Sequence, residues 1–333
     1  MTTKIAINGF GRIGRCVLRA LIENGFDGIE VVAINDLTDA ENLLHLLKYD
    51  SVHGRLTVDA ELKDGTLHVA GQSIRMTAER DPAKLPWGDV DVAYECTGFF
   101  TARDAAAKHL ENGSKRVLIS APGKGVDRTV VYGVNHQELT AEDVIVSNAS
   151  CTTNCLAPVA KVLDDTFGIE TGYMTTIHAY TGDQPTHDSP HRDPYRGRAA
   201  ALSMVPTSTG AAAAISEVIP HLKGVLEGSA VRVPTANVSL VDLCIMPKKP
   251  ATAEAVNAAM QEAANGAMKG VLAYEPAPLV STDFNHDPHS STLAPDQTRV
   301  TEGGMIRVVS WYDNEWGFSN RMNDTARAIA ALI

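Results

Sequence analysis

The residues best suited to chemistry lie in Ser147-Asn148-Ala149-Ser150-Cys151-Thr152-Thr153-Asn154-Cys155-Leu156-Ala157-Pro158. A thiol stands there among small hydroxyl and amide side chains, just after the apolar run Val144-Ile145-Val146. Leu156, Val159, Ala160, Val162 and Leu163 then recur at roughly helical spacing. Strand, short turn and helix predict Cys151 at a helix N-terminus, where unpaired backbone N–H groups favour negative charge. Two readings stand: a thiolate nucleophile, or a small Cys buried at a tight turn.

Magnitudes show what a nucleophile would still need. A free thiol titrates near ~8.5, so only a few per cent is thiolate at neutral pH. A helix terminus contributes ~0.3–1 kcal/mol, less than the ~1.4 kcal/mol of one pKa unit. A cation must therefore sit beside Cys151, and an imidazolium is the usual one. His178, in the alternating stretch Gly172-Tyr173-Met174-Thr175-Thr176-Ile177-His178-Ala179-Tyr180, is a candidate, although a single strand His is more often structural.

A second constellation opens the chain. The strand Lys4-Ile5-Ala6-Ile7-Asn8 runs into Gly9-Phe10-Gly11-Arg12-Ile13-Gly14, then a helix carrying Val17, Leu18, Ala20, Leu21 and Ile22. Another apolar strand, 29–35, ends at Asp36. Gly9, Gly11 and Gly14 between strand and helix allow a tight turn, close approach of a pyrophosphate, and close helix–strand packing. A carboxylate closing the next strand accepts both hydroxyls of an adenosine ribose and repels a 2′-phosphate, so Asp36 favours NAD over NADP. A third stretch, Thr207-Ser208-Thr209-Gly210 before the Ala-rich 211–215, reads as an anion site or as an ordinary helix cap.

The elements that must position these residues fall into two textures. Up to about residue 149, apolar strands alternate with helices, the last strands at 90–96 and 116–120 and a helix near 103–110, with a short antiparallel insertion over 55–77. This predicts a doubly wound α/β domain over 1–149. Beyond it, strands over 231–234, 238–245, 270–274 and 305–311 with a helix at 251–264 predict an α+β domain over 150–314 built on a mostly antiparallel sheet. Residues 181–201 form a long loop rich in Gly, Pro, His and Arg, and loops of that length are usually functional or disordered. Residues 315–333 are expected to form a last helix.

Composition bounds the classes. The 333 residues are 44% hydrophobic and 21% charged, with a net charge of −11, which argues against generic nucleic-acid or anionic-membrane binding. No charged-then-apolar leader and no apolar run of membrane length is present, and five widely spaced Cys suit a reducing cytosol, so a cytoplasmic enzyme is expected. Cys151 and Cys155 are followed by no Cys/His pair at zinc spacing, so no metal is expected.

Taken from Ala6-Ile7-Asn8-Gly9-Phe10-Gly11-Arg12-Ile13-Gly14-Arg15 to Trp311-Tyr312-Asp313-Asn314-Glu315-Trp316-Gly317, the chain resembles the phosphorylating glyceraldehyde-3-phosphate dehydrogenases over its whole length. The resemblance implies Cys151 as nucleophile, His178 as its base and partner in an ion pair, and NAD as cofactor. It implies Thr181 and Arg232 for the substrate phosphate, Ser150, Thr152, Thr209 and Gly210 for inorganic phosphate, and Arg196 near both. For the cofactor it implies Arg12, Ile13, Asp36, Arg80, Ser120 and Asn314 beside the glycines. It further implies that residues 181–201 reach a neighbouring subunit's cofactor in a homotetramer, and that the last helix packs on the first domain. The substrate would be glyceraldehyde 3-phosphate. Departures are Ala213 where the family commonly has Lys, Phe318 where Tyr is usual, and Pro194 and Gly197 in the loop. Two alternatives remain: an erythrose-4-phosphate dehydrogenase, against which Ser208-Thr209-Gly210 argues, and a non-catalytic NAD-binding protein.

Overall fold

Short apolar strands feeding amphipathic helices build the first part of the chain. The computed structural model describes residues 2–333, which group into two compact units: residues 2–149 with Ser319–Ile333, and Ser150–Phe318.

In the first unit β1 (Thr3–Asn8), α1 (Arg12–Glu23), β2 (Ile29–Asn35) and α2 (Ala40–Lys48) come first, then a small hairpin of β3 (Tyr49–Asp50) and β4 (Gly54–Arg55). Strands β5 (Ala60–Lys63), β6 (Thr66–Val69) and β7 (Gln72–Thr77) make the antiparallel insertion. Next are β8 (Val92–Glu95), α3 (Arg103–Ala106), α4 (Lys108–Glu111), β9 (Arg116–Ile119), β10 (Arg128–Thr129) and β11 (Ile145–Ser147). The nine-stranded sheet has the order β10-β11-β9-β8-β1-β2-β7-β6-β5, parallel from β10 to β7. Strand β1 continues into β2 on one side and is flanked by β8 on the other, so the order reverses at β1, the point where open α/β sheets bind ligands. The single helix expected near 103–110 is two short ones, because the chain passes from α3 to α4 through Ala107.

The second unit opens with α5 (Cys151–Phe167). Ser150 caps it by accepting the Thr153 N–H, and Gly168, at φ 69°, ends it in the left-handed region that glycine tolerates. Cys155, Leu156, Val159, Ala160 and Leu163 are fully buried, which accounts for the helical periodicity of the sequence. There follow β12 (Ile169–Ala179), β13 (Val205–Thr207), α6 (Ala211–Val218), β14 (Leu226–Val233), β15 (Ser239–Pro247), α7 (Ala253–Asn265), β16 (Leu272–Tyr274), β17 (Ser291–Leu293), β18 (Arg299–Val300) and β19 (Ile306–Tyr312). The sheet order is β13-β14-β12-β15-β19-β17-β16, with β18 on β19. Most pairs are antiparallel, as expected, but β16 runs parallel to β17 and β12 to β14. That pair sets His178 directly beside Arg232. The last helix, α8 (Trp316–Ala330), lies from Ser319 onward in the first unit, where Asn323 bonds the Val17 carbonyl and Thr325 the Asn148 side chain.

The unusual Gly197 has a packing reason. A Cβ there would lie 2.6 Å from the Ser189 carbonyl oxygen. Phe318 is buried, while Ala213 is exposed on α6.

Candidate active site

The first turn of α5 brings Cys151 to the base expected for it. Cys151 Sγ lies 3.5 Å from His178 Nε2, and the imidazole, at the end of β12, is only 4% exposed. His178 Nδ1 is 2.6 Å from the Ala179 carbonyl oxygen, so the Nδ1–H donates there and Nε2 is the nitrogen that faces the Cys151 sulfur. The ring of Tyr312 stands edge-on to His178 at 5.9 Å.

Burial pushes the Cys151 thiol up, and the Arg232 guanidinium is the largest influence pulling it back. Burial pulls His178 down to about 3, with Arg232 acting in the same direction. Gaining a second proton and losing the last one are both opposed, so the two side chains together hold one proton across the neutral range. The 3.5 Å contact between Sγ and Nε2 is where that proton is shared. The cation already in place is Arg232, whose charge favours a Cys151 thiolate.

Arg232 donates from Nη1 to the Ala179 carbonyl at 3.1 Å and to Thr181 Oγ1 at 2.9 Å. Its buried Nε has no hydrogen-bond partner, an open donor of the kind an anion fills. Thr181 donates to Asp183, which also takes Arg196 Nη1 at 3.0 Å. Although burial pushes Asp183 up, the Thr181 bond and the two guanidiniums hold it below the ordinary carboxylate range. Arg196 is further bonded to Thr207 and lies 3.7 Å from Asp193. Arg232, Thr181 and Arg196 are thus one cluster, joined through Asp183.

The other phosphate candidates are placed differently. Ser150 Oγ is spent on capping α5, and Thr209 Oγ1 accepts the Ala211 N–H at the start of α6, with Gly210 exposed between them. Thr152 Oγ1 shares a 2.9 Å hydrogen bond with Tyr312, whose hydroxyl also meets Thr176. Asn314 is buried and accepts from Ser239 Oγ at 2.8 Å.

The first unit holds a cleft of about 440 Å³ at the strand ends around Gly9, Gly11, Asp36, Arg80, Thr97 and Phe99. Gly9 sits at φ 91°, where a Cβ would lie 2.7 Å from the Thr97 nitrogen, and a Cβ on Gly14 would lie 2.2 Å from the Gly9 oxygen. A Cβ on Gly11, by contrast, would meet nothing within 4 Å, so the loop is open on the face a pyrophosphate needs. Gly11 begins α1 without a side-chain cap, leaving its first N–H groups for an anion. Asp36 is held by the N–H groups of Phe10 at 2.8 Å and Thr38 at 2.9 Å. These features fit a dinucleotide. Arg12 departs from expectation in one respect: its side chain is paired with Asp50, whose carboxyl it and two backbone N–H groups hold well below the usual range despite burial. Ile13 is half-buried on α1, and Ser120 bonds the Cys96 thiol behind the cleft.

Sequence reasoning missed Tyr312 as part of the site, and Leu37 and Phe99 as cleft lining. Leu37 and Phe99 are 55% and 85% exposed, a signal for ligand contact that only the structure displays.

Residues 3–103 match the family model of the glyceraldehyde 3-phosphate dehydrogenase NAD binding domain, and residues 150–314 that of its C-terminal domain. The chain is 62% identical to the glyceraldehyde-3-phosphate dehydrogenase of Cereibacter sphaeroides and 60% to that of Xanthobacter flavus, with both chains of each pair covered in full. It is 55% identical to that of Geobacillus stearothermophilus, with 99% of each covered. With a thiol–imidazole pair in one unit, a dinucleotide cleft in the other and these relatives end to end, the chain belongs to the glyceraldehyde 3-phosphate dehydrogenase family.

Proposed function

We propose that Cys151 and His178 carry out the oxidative phosphorylation of D-glyceraldehyde 3-phosphate to 1,3-bisphosphoglycerate with NAD and inorganic phosphate. The observation that carries this reading is the 3.5 Å approach of Sγ to an Nε2 whose tautomer is set by the Ala179 carbonyl.

As the Cys151 sulfur bonds the aldehyde carbon, its proton passes to His178 Nε2 and on to the aldehyde oxygen, giving a thiohemiacetal. The Cys151 N–H, in the first turn of α5, would stabilise the developing oxyanion. His178 then takes the hydroxyl proton as the carbon loses hydride, leaving a thioester on Cys151. Bound NAD supplies the hydride acceptor. Attack of inorganic phosphate on the thioester carbon releases the Cys151 thiolate and completes the acyl phosphate.

Gly9, Gly11, Arg12, Ile13, Gly14, Asp36, Arg80, Ser120 and Asn314 would hold NAD. We assign the substrate phosphate to Thr181 and Arg232, supported by the open Arg232 Nε, with Arg196 adjoining through Asp183. Ser150, Thr209 and Gly210 would serve inorganic phosphate with helix-start N–H groups. Thr152 offers its backbone N–H for this, because its hydroxyl serves Tyr312. The units 1–149 and 150–314 are read as the dinucleotide and catalytic domains. A cytoplasmic homotetramer without nucleic-acid or membrane partners completes the proposal. Exposed Tyr195, Leu202 and Met204 in and after the 181–201 loop support coverage by a second copy, and sedimentation at micromolar concentration tests it. No helix among the described residues is long and apolar enough to cross a membrane.

The test is a single turnover with glyceraldehyde 3-phosphate and NAD in the absence of phosphate. One NADH per site and a 3-phosphoglyceryl adduct on Cys151 are expected, with turnover on adding phosphate. Steady release of acid without phosphate, or preference for erythrose 4-phosphate, would overturn it.

A further inference from the structure

Ser239, at the start of β15, is a buried hydroxyl that the mechanism above does not use. It pairs in register with Tyr312, two residues before Asn314. Its Oγ accepts the Ala179 N–H at 3.0 Å and donates to Asn314 Oδ1 at 2.8 Å. The carbonyl of the same Ala179 accepts from His178 Nδ1 and Arg232 Nη1. One residue is therefore bonded through its carbonyl to the base and the arginine, and through its N–H to Ser239.

The backbone beside Asn314 is pinned independently. Asp313 Oδ1 accepts from the N–H groups of Glu315 and Trp316, and Oδ2 from Asn237 and from the His286 N–H. What Asp313 does not settle is which way the Asn314 amide faces. The two orientations of an asparagine amide have the same shape and differ only in exchanging an acceptor for a donor. Ser239 already receives one N–H and has a single proton to give, so the oxygen of Asn314 is drawn to it. That leaves Nδ2, a donor, as the group Asn314 offers a ligand.

We propose that Ser239 is a positioning residue that fixes the Asn314 amide as a donor, so that Asn314 selects the carbonyl rather than the amino group of a nicotinamide carboxamide. This rests on the proposed function, in which Asn314 holds that carboxamide. It also sets the amide from the same residue, Ala179, that sets the tautomer of His178.

The experiment measures dissociation constants of the full-length protein by calorimetry for NAD and two analogues. The thionicotinamide analogue weakens the acceptor, and the 3-acetylpyridine analogue replaces the amino group with a methyl. In the unsubstituted protein the thionicotinamide analogue should bind about three- to ten-fold more weakly than NAD, and the acetylpyridine analogue within about two-fold of it. In Ser239→Ala the amide is free to turn, so the thionicotinamide penalty should shrink below about two-fold and an acetylpyridine penalty should emerge. Ser239→Thr, which keeps the hydroxyl, should restore the original ranking. Alkylation of Cys151 without cofactor should stay within about two-fold in Ser239→Ala, because the Ala179 carbonyl still holds His178. An unchanged ranking in Ser239→Ala overturns the inference, as does an alkylation rate that collapses with it. If that variant does not fold, the unsubstituted protein decides, since a penalty on acetylpyridine and none on thionicotinamide has the opposite sense. Absence of NAD binding or of acylated Cys151 in the unsubstituted protein removes the proposed function and this inference together. Normal acylation with the wrong ranking removes this inference alone.

Discussion

Cys151 and Cys155 lie one turn apart on the same helix, in the same field of backbone dipoles, and only one is placed to react. Cys155 is fully buried, with Ser291 Oγ at 3.4 Å and the Ser310 carbonyl at 3.8 Å, and its thiol is pushed up to about 12. Cys151 is also pushed up by burial, but it faces the imidazole Nε2 of His178 and the Arg232 charge. Burial beside neutral hydroxyls makes a thiol inert. A proton acceptor of fixed tautomer with a cation behind it makes one a nucleophile. The helix end, worth ~0.3–1 kcal/mol, separates the two far less than these neighbours do.

The strongest way to break this contrast is to remove the reactive sulfur. Cys151→Ala should abolish turnover while leaving the NAD dissociation constant within about three-fold, since the cleft is built from the first unit's residues; measurable steady-state activity would refute the thiol mechanism. His178→Asn comes next, with kcat lower by about 10²- to 10⁴-fold, as expected for loss of general base catalysis. Its alkylation profile is more telling. With His178 present the pair holds one proton, so the iodoacetamide rate should be flat through neutral pH. It should fall on the acid side as His178 takes a second proton, and rise again in alkali as the pair loses its last. In the Asn variant only a single alkaline rise should remain, and a surviving plateau would show that the pair is not the source.

Arg232→Met sharpens the comparison from the other side. It should raise KM for glyceraldehyde 3-phosphate by about ten- to a hundred-fold, the range for a charge-assisted hydrogen bond. The same change should shift Cys151 alkylation toward higher pH, because the main influence opposing burial is gone. A KM effect with an unmoved alkylation profile would mean that the cation serves substrate only. The smallest effect belongs to Cys155→Ala. Activity should stay within about two-fold, and melting should drop by roughly 2–4 °C for a loss of about 1 kcal/mol of packing. A large kinetic defect there would erase the distinction between the two thiols.

Local patterns are legible in the sequence. Strand–glycine–helix spacing marked the cleft, the small-residue run marked the start of α5, and the NAD preference followed from Asp36. Pairings across the chain are not. Alternation in 172–180 says that a strand forms and nothing about its neighbours, so the parallel β12–β14 pair that sets Arg232 beside His178 could only be seen in the fold. The pairing of Arg12 with Asp50 spans 38 residues and leaves no periodic trace. The hydroxyl of Thr152 was open to a ligand on paper, and only the register of Tyr312 shows that it is taken. The order within 181–201 has the same origin, because it depends on Asp183, Asp188 and Asp193 finding Arg196 and Arg198 across gaps with no repeat.

The first unit is not continuous in the chain: it is left at Ala149 and completed by Ser319–Ile333. Asn148 and Val17 find their partners Thr325 and Asn323 only in that final segment. About half of the chain is translated in between, roughly ten to thirty seconds at ~5–20 residues per second. A nascent chain therefore carries the dinucleotide unit unfinished through that interval, and the second unit is whole in sequence before the first is. Loss of the last fifteen residues would leave the earlier-made half, rather than the later, without its closing helix.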